Sequence, residues 1–251
     1  MLTNKQYMRR ISFLFGVSGA SLVSFELTRQ YMLNRGDVFV QEYGLLTENP
    51  NFYHTLHEQV NLNLDIKAIE QNEKDLDITR LREQLASKAE GIVLETNIGV
   101  SMNYVYYNMS KIRRFIGCDW VQNTNKKAEM KAGFRKEVTI INCDIHKTPF
   151  SDASFDTVID TFGLECSYNL EQAYGEIKRL TKPGGKILLM ERGLGFWMMD
   201  NLTLLRKASV NLGARGQVYN HDFAELIEND PEIRVVKRKR KIRGMLYYYE
   251  L

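Results

Sequence analysis

The sequence predicts an α/β protein: a doubly wound, seven-stranded sheet, mostly parallel and closed by an antiparallel terminal strand pair, with an apolar N-terminal membrane helix ahead of it. Three observations lead there. Short, branched apolar runs alternate with polar, helix-prone segments from Gly91 to Arg192. Glycine and proline punctuate the joins, and the chain ends on two strand-like runs that meet at Gly244. A hydrophobic share of 44% in 251 residues supplies one substantial core, and a formal charge of +3 is too small to argue for nucleic acid.

Between Arg10 and Glu26 runs "ISFLFGVSGASLVSF", residues 11–25, without a charge. Crossing about 30 Å of hydrocarbon takes about 20 residues. Tyr7, Met8 and Leu27 lengthen the apolar zone, and Arg9 and Arg10 can snorkel. Gly16 and Ala20 have the small-xxx-small spacing of packed membrane helices. A cleaved secretory signal and a buried globular helix compete with the reading preferred here. That reading is a single anchor within residues 1–27, which can double as a mitochondrial address because it is basic and free of acids. Its orientation stays open.

Residues 28–90 read as a helical lead-in. Its last segment, "DITRLREQLASKAEG", places Ile78, Leu81 and Leu85 on one stripe, with Asp77 as cap and Gly91 as stop. The domain proper is expected over 91–251. Its first five strands are "IVLET", "RFIGCDW", "EVTIINCD", "TVIDTF" and "KILLMER", near-continuous apolar runs suited to burial on both faces. "NTNKKAEMKAGF" and "NLEQAYGEIKRL" are intervening helices, and "KPGG" is the turn into the fifth strand. "IRVVKRKRKI" and "MLYYYEL" form the closing pair, where Lys and Arg discourage edge pairing. Cys118, Cys143 and Cys166 show no CxxC pair and no even set, so buried thiols in a reducing compartment are expected. His54 and His57 share a helix face but lack a third ligand, so no metal is expected.

In an open α/β sheet a ligand lies beyond the carboxyl ends of the strands, where strand order reverses. Four such ends carry acids in order: Glu95, Asp119, Asp144 and Asp160. Asp119, 24 residues after Glu95, is placed to accept both hydroxyls of a ribose. Trp120 behind it can cover an adenine face, and Asp144 can accept from an adenine amino group.

Residues 81–192 resemble the class I S-adenosylmethionine-dependent methyltransferases (the type 11 and quinone C-methyltransferase group), a Rossmann-like family. The likeness is greatest to membrane-anchored, methyltransferase-like proteins of the mitochondrial inner membrane. "LREQLASKAEGIVLET", "KTPFSDASFDTVIDTFGL" and "EIKRLTKPGGKILLMERG" carry it. The resemblance implies S-adenosylmethionine as cofactor. Glu95, Gly99 and Asn103 would line its methionine side, and Asp119 would hold the ribose. Trp120 and Ile145 would flank the adenine, Asp144 would read its amino group, and Asp160 and Thr161 would face the sulfonium and substrate.

The departures fall in the first turn. The family's E-x-G-x-G-T-G-R-N is here Glu95-Thr96-Asn97-Ile98-Gly99-Val100-Ser101-Met102-Asn103. Asn97 is the least costly substitute where positive φ is needed, Ser101 adds a Cβ, and Met102 replaces a cation. Arg192 stands where the subgroup has histidine. The site is therefore expected to be partly blunted. No catalytic base is evident, and His146 reads as a surface loop residue. Gln172, Tyr168, Phe196 and Trp197 suit an acceptor pocket or plain helix packing. Two functions compete. One is an anchored methyltransferase acting on a small or lipid-like acceptor. The other is a catalytically inactive accessory subunit of a mitochondrial inner-membrane complex. RNA binding through "KRKRKIR" is weaker, since the run lacks interleaved aromatics.

Overall fold

The structure, a computed structural model, describes residues 66–120, 138–167, 169–196 and 221–251. The segment expected to be an anchor, His54, His57, the helix "NTNKKAEMKAGF", Tyr168 and Trp197 lie outside the described residues. Among the described residues, no helix is long and apolar enough to cross a membrane.

Helices α1 (Ile66–Asp75) and α2 (Ile78–Ala86) precede the sheet. Strands β1 (Gly91–Thr96), β2 (Ile112–Asp119), β3 (Val138–Asn142), β4 (Phe155–Thr161) and β5 (Thr181–Arg192) follow, with α3 (Leu170–Leu180) between the last two. Helix α4 (Phe223–Glu228) leads to β6 (Lys237–Lys241) and β7 (Leu246–Glu250). The sheet order is β3-β2-β1-β4-β5-β7-β6. The first five strands pair in parallel, and β7 runs antiparallel to both β5 and β6. The expected seven-stranded sheet is therefore present, and its order reverses between β1 and β4. That crevice is where the strand-end acids converge.

Burial explains the apolar runs. Val93, Phe115, Ile159 and Leu188 face the α2 side, where Ile78, Leu81 and Leu85 close the layer. Leu94, Ile116, Val158 and Leu189 face the other side, against Ile177, Leu180 and Phe223 of α3 and α4. The triple tyrosine of β7 follows the same period of two. Tyr247 and Tyr249 enter the α3–α4 layer, Tyr248 enters the α2 layer, and all three are buried.

Several local expectations are corrected. Asp77 precedes α2 but sits at φ 57° with no side-chain capping bond, and the helix stops at Ala86, before Gly91. Gly91 instead opens β1 at φ 74°. The strand assignment of β5 runs back through "KPGG", because Phe155 pairs with Thr181 and Thr157 with Lys186, leaving the turn as an irregularity between two paired stretches. Cys118 and Cys143 are joined as a disulfide rather than held as separate thiols. Cys143 directly follows β3 and donates its N–H to the Asp119 carbonyl at 3.1 Å. This neighbouring-strand register sets the Cα atoms 5.8 Å apart, inside the usual range for such a bond. An odd total had hidden one pair.

Tyr247 donates its hydroxyl to the Leu194 carbonyl at 2.6 Å, and its ring meets Phe223 edge-on at 5.5 Å. Tyr247→Phe is expected to cost about 1 kcal/mol through the lost hydrogen bond. Tyr247→Ala should cost about 3–5 kcal/mol through the cavity. Urea unfolding of both variants checks the order, and equal losses would contradict the packing described.

Candidate functional site

The turn after β1 keeps a left-handed backbone at alternate residues: Asn97 at φ 48°, Gly99 at 54° and Ser101 at 58°. Two of the three lack the glycine that makes this conformation cheap. The turn is pinned from β2. Ile98 donates to the Cys118 carbonyl at 3.1 Å, and Gly99 N–H donates to Asp119 Oδ2 at 2.8 Å. Ser101 is buried, and its hydroxyl has no hydrogen-bond partner among the described residues.

The adjoining tips bring Asp119 and Asp144 to one rim. Asp119 is buried at the end of β2, and the half-buried Trp120 follows it, its carbonyl accepting from Asn142 Nδ2 at 2.7 Å. Asp144 Oδ1 accepts from the His146 N–H at 2.8 Å and lies 2.6 Å from His146 Nδ1. His146 Nε2 in turn lies 2.7 Å from Ser167 Oγ. His146 is thus a buried brace for Asp144, not a surface loop residue. Ile145 lies in the core cluster on the α3 side.

Towards β1 and β4 the acids are bonded within the chain. Glu95 Oε1 accepts from Asn103 Nδ2 at 2.7 Å, and Oε2 accepts from the Tyr107 hydroxyl at 2.8 Å. Asn103 Oδ1 accepts from Arg82 Nη1 at 2.7 Å, and both residues donate to Thr161 Oγ1 at 2.9 Å. Arg82 also pairs with Glu73. Asp160 is fully buried and takes four donors: Thr96 Oγ1, Asn97 Nδ2 at 2.7 Å, and the N–H groups of Gly163 and Leu164 at 2.9 and 3.1 Å. Burial lifts the Glu95 carboxyl to about 7.

Arg192, at the end of β5, finds a partner in the loop after β4. The Arg192 guanidinium pairs with the fully buried Glu165, whose carboxylate also accepts the Arg192 N–H at 2.9 Å. The Phe162 ring meets two guanidinium groups, 5.3 Å from Arg82 and 4.9 Å from Arg192. Glu191 is buried beside them, and its Oε1 has no partner. Burial, with Asp160 and Glu165 nearby, pushes its carboxyl well up, which favours the protonated form. Gln172 donates to the His146 carbonyl at 2.9 Å, and Phe196 carries the Arg240 guanidinium at 4.4 Å, so each has a structural partner.

The sequence reading missed Glu73, Arg82, Thr96, Tyr107, Glu165 and Glu191 as parts of this network. Only Arg82 left a signal. It is the charged residue on the apolar stripe of α2, four positions after Ile78.

Residues 96–189 match the sequence profile of the family described as Methyltransferase domain. A mitochondrial protein of Saccharomyces cerevisiae, Methyltransferase OMS1, is 26% identical over 78% of this chain and 44% of its own length. A Thermobifida fusca demethylmenaquinone methyltransferase is 36% identical over 31% of this chain and 34% of its own. The chain thus spans less than half the length of these curated relatives. Among solved structures, a chain of the Haloferax volcanii complex of the Trm112 methyltransferase activator with a methyltransferase superposes with a TM-score of 0.59 at 16% identity. It covers 74% of this chain and 80% of that one. A Pyrococcus horikoshii protein superposes with a TM-score of 0.51 at 18% identity, over 75% and 92% of the two chains. Residues 96–189 thus match a methyltransferase domain, and the chain shares the fold of these solved structures. The strand-end acids of that fold fall into two groups. Asp119 and Asp144 rim the β2–β3 tips, whereas Glu95 and Asp160 are consumed in stitching β1 to its neighbours.

Glu95 yields a pH test. Its folded-state value of about 7 lies above the ordinary 4.5, so its contribution to stability is fully present below about 4.5 and is lost as pH rises through 7. The loss is about 3 kcal/mol by pH 8. Glu95→Gln accepts from Asn103 and donates to Tyr107 without titrating. Urea unfolding at pH 4.5 and 8 should show the wild type losing about 3 kcal/mol more than this variant. Parallel losses would contradict the burial assigned to Glu95.

Proposed function

We propose that this chain is a mitochondrial, membrane-anchored methyltransferase-like protein that grips the adenosine end of S-adenosylmethionine at the tips of β2 and β3. The observation that carries this reading is the left-handed turn at Asn97, Gly99 and Ser101, pinned to the Asp119 carboxylate. At Asn97 a bond to Asp160 offsets this backbone shape, but at Ser101 the shape costs about 1 kcal/mol or more with no bond to the hydroxyl among the described residues, a cost that a ligand seated on the turn would repay. The adenosine half of the cofactor fits: Asp119 would receive the ribose hydroxyls, Trp120 would cover the base, and Asp144, braced by His146, would accept from the amino group. The orphaned Ser101 hydroxyl lies in the same turn. When bound, the cofactor supplies an electrophilic methyl group. The methionine half fits poorly, because Glu95 and Asp160 already have partners within the chain.

The mitochondrial assignment rests on the yeast relative, which is mitochondrial by its name. The inner-membrane anchor rests on the uncharged run at 11–25 and its basic flank. The domain division at 27 and 90 goes with it. Nucleic acid is disfavoured as a partner, since β6 uses much of its charge internally. Arg238 pairs with Glu228, Lys237 with Glu250, and Lys239 with Gln84.

A second reading, an accessory subunit of an inner-membrane complex without methyl transfer, is favoured by the closed bonding around Glu95 and Asp160. Calorimetric titration with S-adenosylhomocysteine tests the first reading. Binding should be measurable and should weaken about tenfold in Asp119→Asn, which keeps an acceptor for Gly99 but removes the charge. Binding unaffected by Asp119→Asn would sink the assignment. Migration of the native protein in a large detergent-stable complex, with no methyl transfer, would favour the accessory role.

A further inference from the structure

We infer that Asn97 closes the ligand crevice across the β1–β4 switch point, so that the site prefers adenine nucleosides without an amino-acid tail over S-adenosylmethionine and its demethylated product. This rests on the adenosine reading above and deepens it.

Direction fixes where a tail must go. An adenine set at Asp144, beyond β3, and a ribose set at Asp119, beyond β2, are aligned along the strand order. The 5′ substituent therefore points to the next strands, β1 and then β4. There the crevice between the two carboxyl ends is bridged by the chain itself. Asn97, directly after β1, donates from Nδ2 to Asp160 Oδ2 at 2.7 Å, and Thr96 Oγ1 joins it on the same oxygen. The space is filled as well as bonded. A side chain at Gly163, on the far wall, would collide with Asn97 Nδ2 and Cβ. Behind this bridge, Asn103 and Arg82 both hold Thr161, the last residue of β4.

A methionine tail brings an ammonium and a carboxylate that each need new partners. The ammonium would seek the acids at these strand ends, and both oxygens of Glu95 already accept from Asn103 and Tyr107. Entry of the tail would have to displace Asn97 and strip Asp160 of a donor. A hydrogen or a methylthio group at the 5′ position asks for neither. A glycine at position 97 is at ease at the observed φ of 48° and removes the bridging amide.

The test is calorimetric titration of the full chain and of Asn97→Gly and Asn97→Ala with adenosine, 5′-methylthioadenosine and S-adenosylhomocysteine. Circular dichroism melting confirms that each variant is folded. The wild type should bind the two tail-less nucleosides at least tenfold more tightly than S-adenosylhomocysteine. Asn97→Gly should tighten S-adenosylhomocysteine at least tenfold while changing adenosine less than threefold, and Asn97→Ala should move in the same direction. Nucleosides that bind with no tail discrimination, or discrimination that survives both substitutions, would overturn the role of Asn97 alone. Absence of binding for every ligand in all three proteins would instead overturn the adenosine reading, and this inference with it.

Discussion

The buried carboxylate of Asp160 is the constraint around which this end of the sheet is organised. A carboxylate removed from water costs several kcal/mol unless donors replace the lost hydration. Asp160 collects four, from the end of β1, the turn behind it and the loop after β4. Those donors come from segments more than sixty residues apart in sequence, so their bonds define the geometry of the strand reversal. The same bonds that stabilise the fold also occupy the crevice in which a doubly wound sheet takes its ligand.

Once Asp160 is placed, its neighbours have restricted options. Glu95, Glu165 and Glu191 lie nearby and are also buried. Glu165 is matched by Arg192. Glu95 shares its load between Asn103 and Tyr107 and is raised towards neutrality. Glu191 has no cation bonded to it among the described residues, and the environment favours its neutral form. Arg82 and Arg192 both lie against the Phe162 ring. The cluster therefore resolves its excess acid by ion pairing in one place and by protonation in another, and neither route needs an external ligand.

How much of this was legible in the sequence follows from the range of each interaction. The strands were readable because burial on both faces leaves near-continuous apolar runs, and the β7 tyrosines and the glycines at the joins are local signals. The acids at strand ends were readable for the same reason, as each ends an apolar run. Their partners were not. Arg82 reaches Thr161 across 79 positions, and Ser167 meets His146 across 21, so no local period reports either contact. Asp77 shows the converse failure, since its residue type suits a cap while its backbone conformation does not provide one. Cys118 and Cys143 became a pair only through the β2–β3 register, which sequence spacing does not encode.

The turn after β1 joins these threads. Its backbone retains the left-handed residues that glycine normally supplies, yet two positions carry side chains. For Asn97 the strain is small among non-glycine residues, and a hydrogen bond to a carboxylate is worth about 1.5–3 kcal/mol, enough to offset it. For Ser101 no such compensation is present, because its hydroxyl is buried without a partner. The two substitutions are therefore physically unlike. Asn97 is explained by the folded chain itself, through Asp160. Ser101 remains a cost within the chain alone, and a polar ligand group seated on the turn is the kind of partner that would relieve it.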